Sequence, residues 1–158
     1  MLETLVAMTA LLLTPAATSP QQPPVSASFE STAPDRSAIQ ALLDTYARAV
    51  STKDQRLFET LLLSQSIPFS SVEAAISAAD RDNGTRNYPA FRKGVFEGDR
   101  FTQRFKDIHI KQDGALANVT LVFVNSREGS TSWGWKTLLL LKVAGTWKIA
   151  SEFYTSHK

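Results

Sequence analysis

The sequence predicts an α+β fold in which a curved antiparallel sheet wraps around N-terminal helices and forms a cone with one open end. Two observations lead to this prediction. An apolar stripe with helical spacing occupies residues 39–50, and from Phe101 onward the hydrophobic period changes to that of strands. Three junctions that contain glycine then divide the remaining chain into four runs of similar length, at Gly114, Gly129 and Gly145.

The length and composition indicate one globular domain. The chain has 158 residues, of which 43% are hydrophobic and 20% are charged, so a packed core is expected rather than disorder. It contains no cysteine, which excludes a disulfide framework and a thiolate metal site. The formal net charge of +2 argues against a nucleic-acid-binding protein, which would concentrate Lys and Arg on one face.

The N-terminal region differs from the rest of the chain in charge. Residues 4–29 carry no charged side chain, and residues 5–13 form an apolar run that is too short to span a bilayer. We therefore expect a signal peptide over residues 1–19, with cleavage as late as residue 27, and a periplasmic or secreted protein without a stable membrane span. Because Glu3 is atypical of a signal peptide, an unprocessed apolar tail is the alternative.

A linker and an amphipathic helix follow. Residues 20–34 are rich in Pro, Ser, Gln and Ala, which predicts a linker and leaves residues 35–158 as the folded domain. The helix is expected to begin at Asp35 or Ser37, because both residues are good N-caps. Its apolar stripe consists of Ile39, Leu42, Leu43, Tyr46 and Val50.

Three shorter helices are predicted before the sheet. Asp54 is the expected N-cap of the second helix, and Ser70 with Glu73 forms a capping-box pattern before a third helix over residues 71–79. Between these two helices, Pro68 favours a short extended segment. Pro89 suits the first turn of a fourth helix.

Four strands follow and predict an antiparallel meander. The last two form a hairpin around Ala144-Gly145, for which we expect a type I turn with only Gly145 in the left-handed region, followed by a bulge. At about 3.3 Å per residue, strands of this length must twist and bend. The predicted strands are Phe101–Gln112, Ala115–Asn125, Trp133–Val143 and Thr146–Tyr154.

Alternation along the strands assigns their side chains to two faces. We expect one face to carry the odd-numbered residues of 133–143, 119–123 and 147–153. The opposite face is also apolar, which predicts that a second copy of the protein covers it in a homodimer. A few tolerated exposed aliphatic side chains are the alternative. The expected dimer face contains Leu138, Leu140, Val122 and Val124.

The order of elements, with particular residues in particular places, resembles a known superfamily. The likeness extends over residues 35–156 and is carried by Ala38–Val50, Lys53-Asp54, Leu57-Phe58 and Gly145–Ile149. These features resemble the nuclear transport factor 2-like superfamily, which includes SnoaL-like and ketosteroid-isomerase-like proteins. The resemblance implies a cone with a pocket at its open end. It leaves the activity open, because members include isomerases, dehydratases, binding modules and dimerising domains.

The resemblance also implies positions for catalytic groups. Tyr46 matches the tyrosine that serves as oxyanion donor in ketosteroid-isomerase-like members. The position of the proton-abstracting acid falls near Ser70, which offers no carboxylate, so we expect no catalytic residue in this chain. Asp107 and His109 share a strand face and would make an acid–base pair or part of a metal site. With His157 as the only other histidine, we expect neither a metal site nor a cofactor.

The aromatic residues near the expected pocket predict its chemistry. We expect an exported module without catalysis that binds a small apolar ligand or forms a homodimeric interaction domain. The alternative is an isomerase or lyase acting on a small hydrophobic substrate in the cone, and a partner-binding protein with a filled cone is a third hypothesis. The candidate pocket residues are Tyr46, Phe69, Trp133, Trp135 and Phe153. For Trp133 and Trp135, the alternative to lining a pocket is that they fill the hydrophobic core.

Overall fold

The computed structural model describes residues 29–79 and 87–158. The predicted signal peptide and residues 20–28 of the predicted linker lie outside the described residues. Within the described part of the chain, none of the helices has both the length and the apolar character needed to cross a membrane. The elements are α1 (Ala33–Thr52), α2 (Gln55–Glu59), β1 (Phe69–Ser71), α3 (Val72–Ala79), α4 (Tyr88–Phe96), β2 (Thr102–Asp113), β3 (Leu116–Arg127), β4 (Ser130–Val143) and β5 (Thr146–Tyr154).

The strands form one curved, unclosed sheet in the order β1-β5-β4-β3-β2. The four long strands make the antiparallel meander that the sequence predicts, and β1 adds to β5 in parallel, with Phe69 opposite Glu152. Helix α1 packs against one face of the sheet, which we call the inner face. We call the opposite face the outer face. This arrangement confirms the predicted α+β fold with a sheet wrapped around N-terminal helices.

Helix α1 supplies the helical side of the core. All five residues of its predicted stripe are buried, because their spacing places them on the side that meets the sheet. The helix begins at Ala33, two residues before the earlier of the two predicted starts, and ends at Thr52; its C-cap, Lys53, adopts a left-handed conformation with φ of 62°. Ser51, in the last turn of α1, accepts a hydrogen bond from the backbone N–H of Gln103 at 2.9 Å, which fixes this end of α1 against β2.

The shorter helices are capped close to the predicted positions. Asp54 accepts a hydrogen bond from the backbone N–H of Leu57 at 2.9 Å, as its N-cap role requires. The cap of α3 is Ser71, which accepts from the N–H of Ala74 at 3.1 Å, and not the predicted Ser70. Ser70 is unsuited to that role because it belongs to β1 and pairs with Phe153 of β5.

The prediction of which face of β4 meets the core is wrong. Leu138 and Leu140, expected in a dimer interface, are 0% exposed and pack on the inner face. Apolar residues occupy both faces of this strand, so composition alone does not decide which face is buried. Pairing decides it, because residues opposite each other in an antiparallel pair share a face, and Val119 lies opposite Leu138. Val122 and Val124 lie half-buried on the outer face, as predicted.

A bulge explains why the facing of β5 changes part way along the strand. Leu139 pairs with Ser151, but Leu140 pairs with Ile149, so Ala150 is an extra residue. Trp147 and Ile149 are buried on the inner face as predicted. Beyond the bulge the alternation is reversed, so Glu152 faces inward and the prediction for Phe153 and Ser151 is wrong.

The turn between β4 and β5 also differs from the prediction. Ala144 has φ of 48° and Gly145 has φ of 80°, so both turn residues are left-handed and the predicted type I turn is wrong. Val143 pairs with Thr146, which leaves a loop of only two residues. Such loops favour turns with two left-handed residues, since these match the twist of the flanking strands.

Candidate functional site

Three polar side chains meet on the inner face in the middle of the hydrophobic core. Tyr46 from α1, Lys136 from β4 and Glu152 from β5, which we call the inner-face triad, are 0%, 2% and 0% exposed. The Lys136 Nζ lies 2.7 Å from Glu152 Oε1 and donates to Tyr46 Oη at 2.6 Å. The Tyr46 hydroxyl donates to Glu152 Oε1 at 3.0 Å. The triad is therefore a closed ring of contacts between one cation, one anion and one phenol.

Aromatic rings surround the ammonium group of Lys136. Its Nζ lies 4.4 Å from the ring centroid of Tyr46, 5.2 Å from Phe123, 5.4 Å from Tyr154 and 5.6 Å from Phe105. Each ring is within the distance at which its negative face attracts a cation. These rings replace water around the charge, so the triad lies in a medium of low polarity.

Burial and pairing act against each other on the ionisation of the triad. Burial raises the pKa of Glu152, while the Lys136 ammonium and the hydrogen bonds from Lys136 and Tyr46 lower it. Burial likewise lowers the pKa of Lys136, and the Glu152 carboxylate raises it. Burial and the neighbouring carboxylate both raise the pKa of Tyr46, which therefore stays a neutral phenol.

Two buried oxygens near β1 lack hydrogen-bond partners among the described residues. Glu152 Oε2 is one, although Oε1 of the same carboxylate has two donors. Ser70 Oγ is the other, and Ser70 is only 4% exposed. A buried acceptor without a donor costs free energy, so Glu152 Oε2 is a position where a donor from outside the described residues would be stabilising.

A groove lies on the inner side of the sheet, at the end marked by the turn at Gly129. It has a volume of about 510 Å³. Asn125 and Ser132 face each other across β3 and β4, and the same face continues through Phe123 to Lys136. Ser132 and Lys136 are four residues apart on one strand, which corresponds to about 13 Å. The groove is lined by Phe101, Asn125, Arg127, Ser130, Thr131, Ser132, Ser156 and Lys158.

The structure separates the five predicted pocket residues. Tyr46 and Phe69 lie in the core on the inner side, and are 0% and 1% exposed. Trp133 and Trp135 project from the outer face and are 48% and 51% exposed, so the sheet separates them from Tyr46. Phe153 is half-buried beyond the bulge and also belongs to the outer face.

The remaining predicted positions lie apart from the triad. Asp107 lies within a bulge of β2 and His109 directly follows it; both are exposed, and Asp107 adopts a left-handed φ of 50°. Across residues 29–79 and 87–158, no group of three His, Asp or Glu side chains is placed to hold a metal ion. Ser70 lies in β1 next to Phe69. Phe69 pairs with Glu152, and Ser70 pairs with Phe153.

Sequence reasoning missed two of the three triad residues, Lys136 and Glu152. Alternation alone places Lys136 on the same strand face as Leu138 and Leu140. A lysine is seldom found on such an apolar face. Glu152 was hidden by the bulge at Ala150, since strict alternation puts it on the face opposite Ile149. A carboxylate therefore lies beside Tyr46 where the sequence analysis expected none, and β5 supplies it rather than the segment around Ser70.

Known proteins match this chain in sequence pattern and in fold. A protein-family model described as "Putative lumazine-binding" matches residues 34–155. No curated protein matches the sequence. The family model covers all of the elements from α1 to β5 except the first residue of α1, so it includes both the triad and most of the groove.

Solved structures share the fold at low sequence identity. A protein of unknown function with a cystatin-like fold from Nostoc punctiforme has a TM-score of 0.63 and 11% identity, over 81% of this chain and 95% of its own. A nuclear transport factor 2-like protein of unknown function from Shewanella baltica has a TM-score of 0.59 and 18% identity, over 82% and 99%. A protein titled "Putative Scytalone Dehydratase" from Novosphingobium aromaticivorans has a TM-score of 0.57 and 17% identity, over 78% and 85%. These likenesses confirm the predicted nuclear transport factor 2-like fold.

Proposed function

The chain belongs to the family described as "Putative lumazine-binding", and we propose that it binds a small, flat heteroaromatic molecule on the inner face without transforming it. The observation that carries this proposal is the groove of about 510 Å³ on the inner side of the sheet, at the end of β3 and β4 next to the Gly129 turn. Pockets for small organic ligands usually measure about 300–1,000 Å³. A bicyclic molecule such as lumazine therefore fits in the available space.

The lining of the groove suits a neutral heteroaromatic ligand. Phe101 offers an aromatic surface, while Ser132 and Ser156 offer hydroxyl groups that both donate and accept. The Oδ1 atom of Asn125 accepts a hydrogen bond from Gln103 Nε2 at 2.8 Å, which leaves the amide nitrogen of Asn125 as a donor. Lumazine carries ring N–H donors and carbonyl acceptors on the edges of a flat bicycle, so its groups complement this lining.

The buried ion pair of the triad favours ligand binding over catalysis. Lys136 and Glu152 neutralise each other at 2.7 Å, and both are buried behind Phe123. Among the described residues that line the groove, none carries a side-chain carboxylate that could abstract a proton from a ligand. A molecule in the groove would therefore be held by stacking and hydrogen bonds.

Calorimetric titration with lumazine tests this proposal. In wild-type protein we expect saturable binding with one molecule per chain. Ser132→Trp should fill the groove and weaken binding by at least about tenfold, which is ~1.4 kcal/mol. The matched variant Ser132→Ala keeps the space and should stay within about threefold of wild type. Equal affinities for wild type and Ser132→Trp would refute the groove as the binding site.

A second candidate function is an isomerase or lyase, and one observation favours it. The carboxylate of Glu152 lies within hydrogen-bond reach of the Tyr46 hydroxyl, a pairing of base and donor that such chemistry uses. The dehydratase title of a protein with the same fold agrees with this candidate. Incubation with cyclohexanone in D2O tests it, because an enzyme of this kind would exchange the α-protons faster than Glu152→Gln does. Identical exchange rates for the two proteins would exclude this use of Glu152.

We also propose that two copies of the protein associate through the outer face. Trp133, Trp135 and Leu139 are 48%, 51% and 37% exposed there, and Val122 and Val124 lie beside them. An exposed apolar surface of this kind is typical of an interface. Sedimentation should give a dimer for wild type and a monomer for Trp135→Ser. A wild-type monomer at high concentration would refute the proposal.

Export remains a separate proposal that concerns the N-terminal region. The uncharged residues 4–29 support a signal peptide over residues 1–19 and a periplasmic or secreted location. N-terminal sequencing of protein recovered from the original cells tests it. A first residue between 20 and 28 is expected, whereas an intact Met1 would refute export by this route.

A further inference from the structure

Lys136 is a primary amine in a setting that the proposed binding function does not use. Its Nζ contacts both a carboxylate and a phenol within hydrogen-bond distance, and four aromatic rings surround it. We propose that Lys136 is a covalent attachment site for small aldehydes and ketones, which it captures as an imine. This inference is independent of the proposed binding, because the residues that surround the Lys136 amine are not those that line the groove.

The arrangement provides the proton transfers that imine formation requires. An ammonium group must first lose a proton to become a nucleophile, and Glu152 Oε1 is 2.7 Å from Nζ to accept it. Burial lowers the pKa of Lys136 and raises the pKa of Glu152, so desolvation favours the transfer in this direction. Lysines that form imines in proteins are activated by the same kind of apolar surroundings.

The reaction then balances with groups already present. The neutral amine attacks the carbonyl carbon, and the Tyr46 hydroxyl, 2.6 Å from Nζ, donates a hydrogen bond to the carbonyl oxygen. The attack breaks the C=O π bond, and a proton moves from nitrogen to the alkoxide oxygen to give the carbinolamine, which then loses its hydroxyl as water when protonated Glu152 returns its proton. One carbonyl compound and one amine thus give one imine and one water, without an oxidant or a reductant. Glu152 Oε2, which has no partner among the described residues, is positioned to hold the water.

Two of the four aromatic rings around Lys136 lie close to the protein surface. Phe123 is buried, but Phe105 and Tyr154 are only partly buried while both rings lie within 5.6 Å of Nζ. Tyr154 also packs edge-on against Phe123, with ring centroids 5.8 Å apart. Rotation of either partly buried ring would open the Lys136 amine to the protein surface. A small aromatic aldehyde suits these surroundings, because its ring is apolar like the four rings around the amine.

Reductive trapping with benzaldehyde tests the proposal on the full-length protein. The protein is incubated with benzaldehyde and cyanoborohydride, and labelled lysines are located by peptide mass spectrometry. We expect one benzyl group per chain, with Lys136 labelled at least about tenfold faster than the exposed Lys106. Lys136→Arg keeps the positive charge and should remove the fast phase. Tyr46→Phe should slow it while the labelling of Lys106 stays unchanged.

Lumazine titration of the same sample separates the two proposals. Labelling of Lys136 no faster than that of Lys106, in protein that still binds lumazine, would overturn the imine site and leave the binding function intact. Absence of both lumazine binding and preferential labelling would overturn both. Preferential labelling of Lys136 that benzaldehyde analogues of increasing size abolish would support entry through a narrow opening between the surrounding rings.

Discussion

Breaking the buried ion pair of the triad tests whether Lys136 and Glu152 act as one unit. The two side chains are 2% and 0% exposed, so neither charge can be hydrated if its partner is lost. Lys136→Met leaves a buried carboxylate, and Glu152→Leu leaves a buried ammonium. We expect each variant to lower the free energy of unfolding by about 3–5 kcal/mol.

The double variant should recover most of this loss. Lys136→Met with Glu152→Leu replaces both charges by apolar groups of similar size, an exchange that is often neutral for stability. The Tyr46 hydroxyl then loses its two polar partners, at a cost of roughly 1–3 kcal/mol. The sum of the single effects should therefore exceed the effect of the double variant by at least about 3 kcal/mol.

Urea unfolding monitored by tryptophan fluorescence provides the measurement. A domain of this size is expected to be stable by about 5–15 kcal/mol, so each single variant remains measurable. Arg36→Met is the matched control, because it breaks an ion pair with Glu30 whose side chains are 49% and 52% exposed. Its effect should be below about 1 kcal/mol. Additive effects of Lys136→Met and Glu152→Leu would refute the description of the triad as a coupled buried pair.

Three further outcomes follow from the backbone and from an ion pair at the start of α1. Ala144→Gly should raise the free energy of unfolding by about 1 kcal/mol in urea titrations, because Ala144 adopts φ of 48°; a loss of stability would contradict this. Gly134→Ala should lower the melting temperature strongly, since an added Cβ would lie 1.9 Å from the carbonyl oxygen of Thr155; an unchanged melting curve would contradict that close approach. Lys142 holds the pKa of Asp35 at about 2, below its usual 3.8, so the stabilisation is present above pH 3.8 and is lost as the pH falls through about 2. The melting temperatures of wild type and Asp35→Asn should accordingly converge over that interval, and a constant difference would contradict the assignment.

The sequence predicted those parts of the fold that local patterns determine. The helical stripe around Tyr46 and the glycine junctions were sufficient for α1 and for the order of the long strands. Pairing register is different, because it depends on contacts between segments that are far apart in the sequence. The register places Leu138 opposite Val119, and it is this contact that buries the even-numbered face of β4.

The candidate site was only half predictable for the same reason. Tyr46 could be located from helical periodicity and from the resemblance to a known superfamily. Lys136 and Glu152 come from two strands, and nothing in either strand alone indicates that their charges meet in the core. Their meeting requires the bulge at Ala150, which the sequence does not reveal because no glycine marks the extra residue in β5.

The extra residue in β5 therefore has a chemical consequence far larger than its size. If β5 paired with β4 without this bulge, Ala150 would lie opposite Leu139, so Glu152 would turn toward the outer face and Phe153 would come to the position beside Tyr46. The protein would then have an interior of rings alone, with Lys136 left without its counter-charge. The bulge at Ala150 thus determines whether the centre of the molecule is ionic or purely aromatic.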